Sequence, residues 1–282
     1  MIYPGEPLMT IADEATLTRL ADHARNVRRN IIRGTAAAGG GHPTSSLSAT
    51  ELLVALYCHE MRHDPQHPNW PERDRFVLSK GHAAPGLYAV LAECGYLPAT
   101  ELITLRQLDS RLQGHPTPDA PGVEVATGAL GQGLSFATGL ALAARLKGAA
   151  WRTYVLLGDG EMHEGQVWEA AMTAAKYALD NLTALCDYNH ATQTGTIEVT
   201  KPLTPLADKW RAFGWHVVEI DGHDFGQILA ALAEARRTTG RPIMIVANTI
   251  KGKGVSFFEH VVGWHGRAPS AEQAARALEE IG

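Results

Sequence analysis

Four short apolar runs constrain this chain more than any other feature. TYVLL (153–157), LTALCDY (182–188), WHVVEI (215–220) and PIMIVANTI (242–250) alternate with segments of helical character around 165–179 and 224–238. Short β-branched runs separated by helices read as parallel strands buried on both faces. The class is therefore α/β, a doubly wound, mostly parallel sheet with helices on both faces. No repeat, low-complexity tract or linker interrupts residues 1–282, so the chain reads as a single domain with an N-terminal helical extension. Residues 14–38 predict a helix, because Leu17, Leu20, Ala24, Val27 and Ile31 recur at spacings of three and four. AAAGGGHPTSS then reads as a flexible loop. SATELLVALYCHEM reads as a second helix, with Ser48 as its cap and Glu51 three residues on. The stretch HDPQHPNWPERD, with His63 and His67, reads as surface loop.

With 282 residues, 45 % of them hydrophobic, the chain can bury a large core. A net charge of -5 and no basic tail argue against a nucleic-acid partner. Cys58, Cys94 and Cys186 lie far apart and form no CxxC pair. That pattern predicts neither structural zinc nor a disulfide framework, and it fits a reducing, cytoplasmic location. The opening MIYPGEPLMTIADEATLTRL has no basic stretch followed by an apolar one, so it predicts no signal peptide. The segment nearest to a membrane span is 126–148, but Gln132, Arg145 and repeated glycines interrupt it. It reads as a Gly-rich loop running into a buried helix, and a membrane partner is not expected.

The chemistry is announced by YVLLGDGEMHEG (154–165), an apolar strand that ends on Asp159 between two glycines. If residues 154–189 form a strand–helix–strand unit, the right-handed crossover makes its strands parallel. Asp159 and Asn189 then both lie just past strand ends, at the carboxyl edge where open α/β sheets bind ligands. A carboxylate, an amide oxygen and a nearby backbone carbonyl are hard oxygen ligands, suited to magnesium that completes its shell with phosphate and water. Gly158 and Gly160 would let a diphosphate approach the backbone, with the following helix N-terminus favouring anions. Glu161 and Glu164 would have to point elsewhere.

GDG, then 28 residues (161–188), then Asn189 resembles the thiamine-diphosphate signature. GGGHPTSSLSATELLVALY, RDRFVLSKGHAAPGLYAVLAECGYL, LQGHPTPDAPGVEVATGALGQGLSFATGLALA, GDGEMHEGQVWEAAMTAAKYALDNL and IKGKGVSFFE…WHGRAP follow the order of blocks in transketolases. The resemblance covers about residues 20 to 282. It implies thiamine diphosphate with a divalent cation, Mg2+ or else Ca2+ or Mn2+. Asp159 and Asn189 resemble the side-chain metal ligands, and the Ala191 carbonyl the backbone one. Gly158 and Gly160 would face the diphosphate. His82 in SKGHA and His42 in GGHP resemble the histidines beside the diphosphate, thiazolium and substrate hydroxyls. His115 in QGHP resembles the one at the donor sugar, and His265 in WHG another at the diphosphate. Gly128 and Leu130 of GALGQG resemble cofactor contacts, Leu130 packing on the ring. Glu164 resembles an acid at the subunit interface. Polyhydroxylated substrates need groups that donate and accept near pH 7, which imidazoles do. His163 is assigned no role, and His223 in DGHD reads as a loop residue.

Transketolases are more than twice this length, with a pyrimidine-binding domain that carries the activating glutamate and a further C-terminal domain. RAPSAEQAARALEEIG reads as a finished amphipathic helix with Ala271, Ala274, Ala275 and Leu278 on one side. The resemblance therefore implies the N-terminal subunit of a split transketolase, partnered by a separate C-terminal subunit as an α2β2 heterotetramer. The implied reaction is transfer of a two-carbon ketol unit from a ketose or ketose phosphate to an aldose. The chain departs from the family's usual Gly-Leu-Gln after Asn189, reading His190-Ala191-Thr192-Gln193. Ala129 stands where Pro or Ser is common. A transketolase-like enzyme on a modified sugar, a 2-oxo-acid-using thiamine enzyme, and a degenerate subunit that only stabilises a partner are the alternatives.

Overall fold

The structure, a computed structural model, describes residues 13–282. The signal-peptide expectation therefore rests, over 1–12, on residues outside those described. The sheet holds five parallel strands: β1 Arg75–Leu78, β2 Thr153–Gly158, β3 Leu182–Tyr188, β4 His216–Asp221 and β5 Ile243–Asn248. Their order is β1-β2-β3-β5-β4. The helices are α1 Glu14–Ala38, α2 Pro43–Ser48, α3 Thr50–Ala55, α4 Ala84–Glu93, α5 Gln132–Lys147, α6 Gly165–Lys176, α7 Ile197–Thr200, α8 Leu206–Ala212, α9 Phe225–Arg237 and α10 Ala271–Ile281. Period-two alternation along the strands feeds two apolar cores. Tyr154, Leu156, Leu185, Ile243 and Ile245 face the first, with residues of α1, α3, α4 and α9. Val155, Leu157, Ala184, Cys186, Met244 and Val246 face the second, with residues of α5, α6 and α8. This is the expected sheet with helices on both faces.

The expected helix over 14–38 is present, capped by Asp13, whose side chain accepts from the Thr16 N–H at 2.8 Å. Three local expectations fail. The stretch after it is not all loop: Pro43 pre-sets the φ of a first helical position and starts α2. Ser48 caps nothing. It is the last residue of α2, fully buried, and its hydroxyl donates to Asp187 Oδ2 at 2.5 Å. Glu51 is buried against Arg28 and His223. On α10 the inner face is Ala274, Ala277, Leu278 and Ile281, not Ala271 and Ala275. A capping box between Ser270 and Gln273 starts that helix.

β1 was not expected from the sequence. Only four residues long and flanked by Arg73, Asp74 and Lys80, RFVL lacks the length that marks the other strands. It pairs along its whole length with β2, from Arg75 opposite Thr153 to Leu78 opposite Leu156. Among the described residues no helix is long and apolar enough to cross a membrane. In 126–148 the glycine-rich loop does run into α5, but only one side of α5 is buried, with Phe136 and Leu146 exposed.

Candidate functional site

β2 and β3 are neighbours in register, Gly158 opposite Asp187, so their ends deliver side chains to one pocket of about 470 Å³ at the carboxyl edge of the sheet. Gly158, Asp159, Gly160, Asn189 and Ala191 line it, as do Gly128, Leu130, His42, His82, His115 and His265. Of the residues singled out from sequence, Glu164 alone lies outside this lining; it is exposed just before α6.

Asp159 is 2 % exposed. Its Oδ1 accepts from the Gly160 N–H at 2.7 Å, while Oδ2 is buried with no hydrogen-bond partner. Burial, followed by the nearby Asp187 carboxylate, pushes its pKa up to about 7. An unpartnered buried carboxylate oxygen is costly unless a proton or a cation satisfies it. Beside it, the Asn189 amide donates to Asp187 Oδ2 at 3.2 Å, and its carbonyl oxygen accepts from the Ala191 N–H at 3.2 Å. His190 between them has φ 61°, a left-handed conformation that brings Ala191 round to the pocket. Its ring lies 4.1 Å from that of Tyr188, and Nδ1 is 3.2 Å from Glu198. Asp159, Asn189 and Ala191 line one pocket, and a carboxylate, an amide oxygen and a backbone carbonyl are donor types that a hard cation takes. Among the described residues no three His, Cys, Asp or Glu side chains cluster as a metal site.

Across the pocket His42, His82 and His265 form a triangle with ring centroids 5.0–5.6 Å apart. They come from three segments: the residue before α2, the 3-10 turn Gly81–Ala83, and the end of the turn Val262–Trp264. Burial is the leading cause that lowers all three pKa values, with neighbouring histidines and lysines adding to it. His42 falls to about 4, His265 to about 3, and His82 well below its usual value. At pH 7 these are neutral imidazoles, each able to donate at one nitrogen and accept at the other. His115 is lowered as well, by burial and then by Arg106. Gly128, at φ 149°, leaves room for it; a Cβ there would sit 3.0 Å from the His115 ring.

Several residues of the site escaped the sequence reading. Lys80 is 1 % exposed, pairs with Asp187 and donates to the Ser45 carbonyl at 3.0 Å. Lys251 reaches His265 Nδ1 at 2.9 Å and the Thr192 carbonyl at 3.3 Å; burial, then Lys80, lowers its pKa to about 8. Both lysines line the pocket. Both also lie inside the quoted blocks SKGHA and IKGKG, where a lysine just before a glycine was the available signal. The Glu161 carboxylate, at the pocket wall, is taken up by three donors of the protein: it accepts from the Gly158 N–H at 3.0 Å, the Gly131 N–H at 2.9 Å and the Ser79 hydroxyl. It thus ties the GALGQG loop to the end of β2. No helix begins directly after GDG. A 3-10 turn, Gly160–His163, intervenes before α6, so the expected helix N-terminus is displaced from the aspartate. His163 lines the pocket, with Nε2 2.8 Å from the Lys201 carbonyl. His223 is more than a loop residue. Its Nδ1 is 3.0 Å from Glu51, and its Nε2 accepts from the Ile250 N–H at 2.8 Å, which anchors the turn carrying Lys251.

The sequence from residue 20 to 282 matches the family model described as transketolase, thiamine diphosphate binding domain. The chain is 44 % identical over 270 residues to a transketolase of Pongo abelii, covering 95 % of this chain and 43 % of that protein. It thus spans less than half the length of the first curated relatives it matches. It is 45 % identical over 263 residues to a 6-deoxy-6-sulfo-D-fructose transketolase subunit of Clostridium sp. (strain MSTE9), covering 93 % of this chain and 96 % of that subunit. The crystal structure of an R525L mutant transketolase from Pichia stipitis superposes with a TM-score of 0.89 at 35 % identity, over 93 % of this chain and 40 % of that one.

Proposed function

Because the chain belongs to the transketolase family through its thiamine diphosphate binding domain, we propose that it is the diphosphate-binding subunit of a two-component transketolase. It would pass a two-carbon ketol unit from a ketose, or ketose phosphate, to an aldose. The observation that carries the reading is Asp159 Oδ2, buried, unpartnered and beside the Asn189 and Ala191 oxygens. These residues fit a divalent cation, magnesium in the first instance. Lys80 and Lys251 supply positive charge for a diphosphate, with Gly158 and Gly160 leaving the pocket side of the backbone bare.

Thiamine diphosphate supplies the carbanion chemistry that breaks and remakes a carbon–carbon bond. This chain's part is binding, orientation and proton traffic. His42, His82, His115 and His265 are neutral, so they can hydrogen-bond sugar hydroxyls in either sense and hold or release a proton at a ring nitrogen. Gly128 and Leu130 wall the cofactor side. Glu161 keeps that wall in register with the end of β2.

A separate subunit would bring the pyrimidine-binding and C-terminal domains, in an α2β2 assembly and a cytoplasmic setting. The relative that is itself a subunit and aligns over 96 % of its length supports the existence of a separate partner subunit. So does the exposed apolar surface of Phe136 and Leu146 on α5 and Met172 on α6. Because Ala191, Thr192 and Gln193 line the pocket where the sequence leaves the usual pattern, a modified sugar is a second reading of the substrate. The test uses the chain together with the C-terminal subunit. Wild type should bind thiamine diphosphate in a magnesium-dependent way and transfer ketol groups, and Asp159→Ala should abolish the binding measured by calorimetry. Unchanged, magnesium-independent binding by Asp159→Ala would overturn the reading.

A further inference from the structure

Cys58 and Cys94 are separated by 36 residues, yet their sulfurs lie 3.7 Å apart. Cys58 sits in the π-helical turn Leu56–Glu60 that follows α3, and Cys94 is the residue that ends α4. Both are half-buried and neither lines the pocket. Far apart along the sequence, these two thiols are adjacent in the fold, and all three cysteines are free.

We infer that Cys58 and Cys94 form a reversible intrachain disulfide, a redox modification site outside the pocket. An S–S bond is about 2.0 Å long, so the sulfurs must approach by less than 2 Å. Each lies where a helical segment ends and the backbone can give. The two sulfurs share one S–H···S contact in which either can be the donor, and His23 stands near, with Nδ1 at 2.8 Å from Glu93. The contact and then His23 draw the Cys58 pKa down, which favours Cys58 as the attacking thiolate. With a small-molecule disulfide as oxidant, its sulfur bonds to one oxidant sulfur and expels the other as thiolate. Cys94 then loses its proton, attacks the Cys58 sulfur and expels the second thiolate. Two protein thiols are oxidised, one external disulfide is reduced to two thiols, and the protons end on the released thiols. Cys186 is fully buried, and its pKa is raised by burial and by Asp159 and Asp187, so it stays a thiol and serves as an internal control.

This bond would staple the far ends of the two helical segments whose beginnings carry His42 and His82. The test is to incubate the native full chain with oxidised glutathione, alkylate under denaturing conditions, and map the peptides by mass. The expected result is one alkylated cysteine, Cys186, and a linked peptide pair containing Cys58 and Cys94 that dithiothreitol separates. Tm should rise by roughly 5 °C on oxidation. In Cys94→Ser, Cys58 should stop at the mixed disulfide and carry one glutathione. Mapping the wild type needs no variant to fold. Three alkylated cysteines after oxidation, a bridge to Cys186, or only intermolecular links would each overturn the inference.

Discussion

Asp159 and Asp187 stand at neighbouring strand ends, both buried, and they behave oppositely. Asp187 receives Lys80, Ser48 and Asn189 at Oδ2 and Thr249 at Oδ1, and its pKa lies below the usual carboxylate range despite complete burial. Asp159 has one backbone donor and one bare oxygen, and its pKa rises to about 7. The protein completes one carboxylate itself and leaves the other incomplete. Burial alone does not set protonation; the donors around the group decide it. Such an incomplete buried acid at a sheet's carboxyl edge is where a ligand must finish the structure.

The largest expected effect tests the completed side. Asp187→Ala strands the buried Lys80 ammonium and should cost about 3–5 kcal/mol, read from urea unfolding. A loss below ~1 kcal/mol would mean that water already reaches Lys80.

Asp159→Asn should do the reverse at neutral pH. The folded-state pKa is raised, so the unfolded chain ionises first, and wild type loses stability as pH climbs from about 4 towards 7. The variant lacks this loss. Ligand-free, it should be more stable than wild type by about 1–3 kcal/mol at pH 7, the gap shrinking as pH falls. Magnesium with thiamine diphosphate should close the gap by stabilising wild type alone. A gap independent of pH would break the comparison.

The lowered histidines slope the other way. His42 and His265 release their protons more readily when folded, so the unfolded state binds more protons between about 4 and 6.5, and stability rises with pH there. His265→Gln should flatten that rise in a pH series of unfolding midpoints. Smallest is Thr249→Val, which removes one of four donors to Asp187 and should cost about 1.5 kcal/mol.

Much of this was legible beforehand, and the misses share a cause. β3 runs over 182–188 as read, and α1 over 14–38, because period and β-branching are local signals. Asp159, Asn189 and the four histidines stood in glycine-rich blocks that the family resemblance made readable. Lys80 and Asp187 were not read, since they pair across 107 residues, and Glu161 was read only as pointing elsewhere, since its Ser79 partner lies 82 residues away. Ser48 looked like a cap because the pattern was right locally; its actual partner lies 139 residues on. His223 looked like a turn residue, and its partner Glu51 is 172 residues back.

The sequence by itself determined four of the five strands and the long helices, the parallel arrangement and the placing of a carboxylate and an amide at two strand ends. These follow from chain-local periodicity and a fixed crossover hand. Only the tertiary structure decided which of two adjacent aspartates is satisfied, which histidines are neutral, and which two of three cysteines touch. Those properties depend on burial and on donors brought in from distant segments, and a side chain's charge state is set by that environment rather than by its neighbours along the chain.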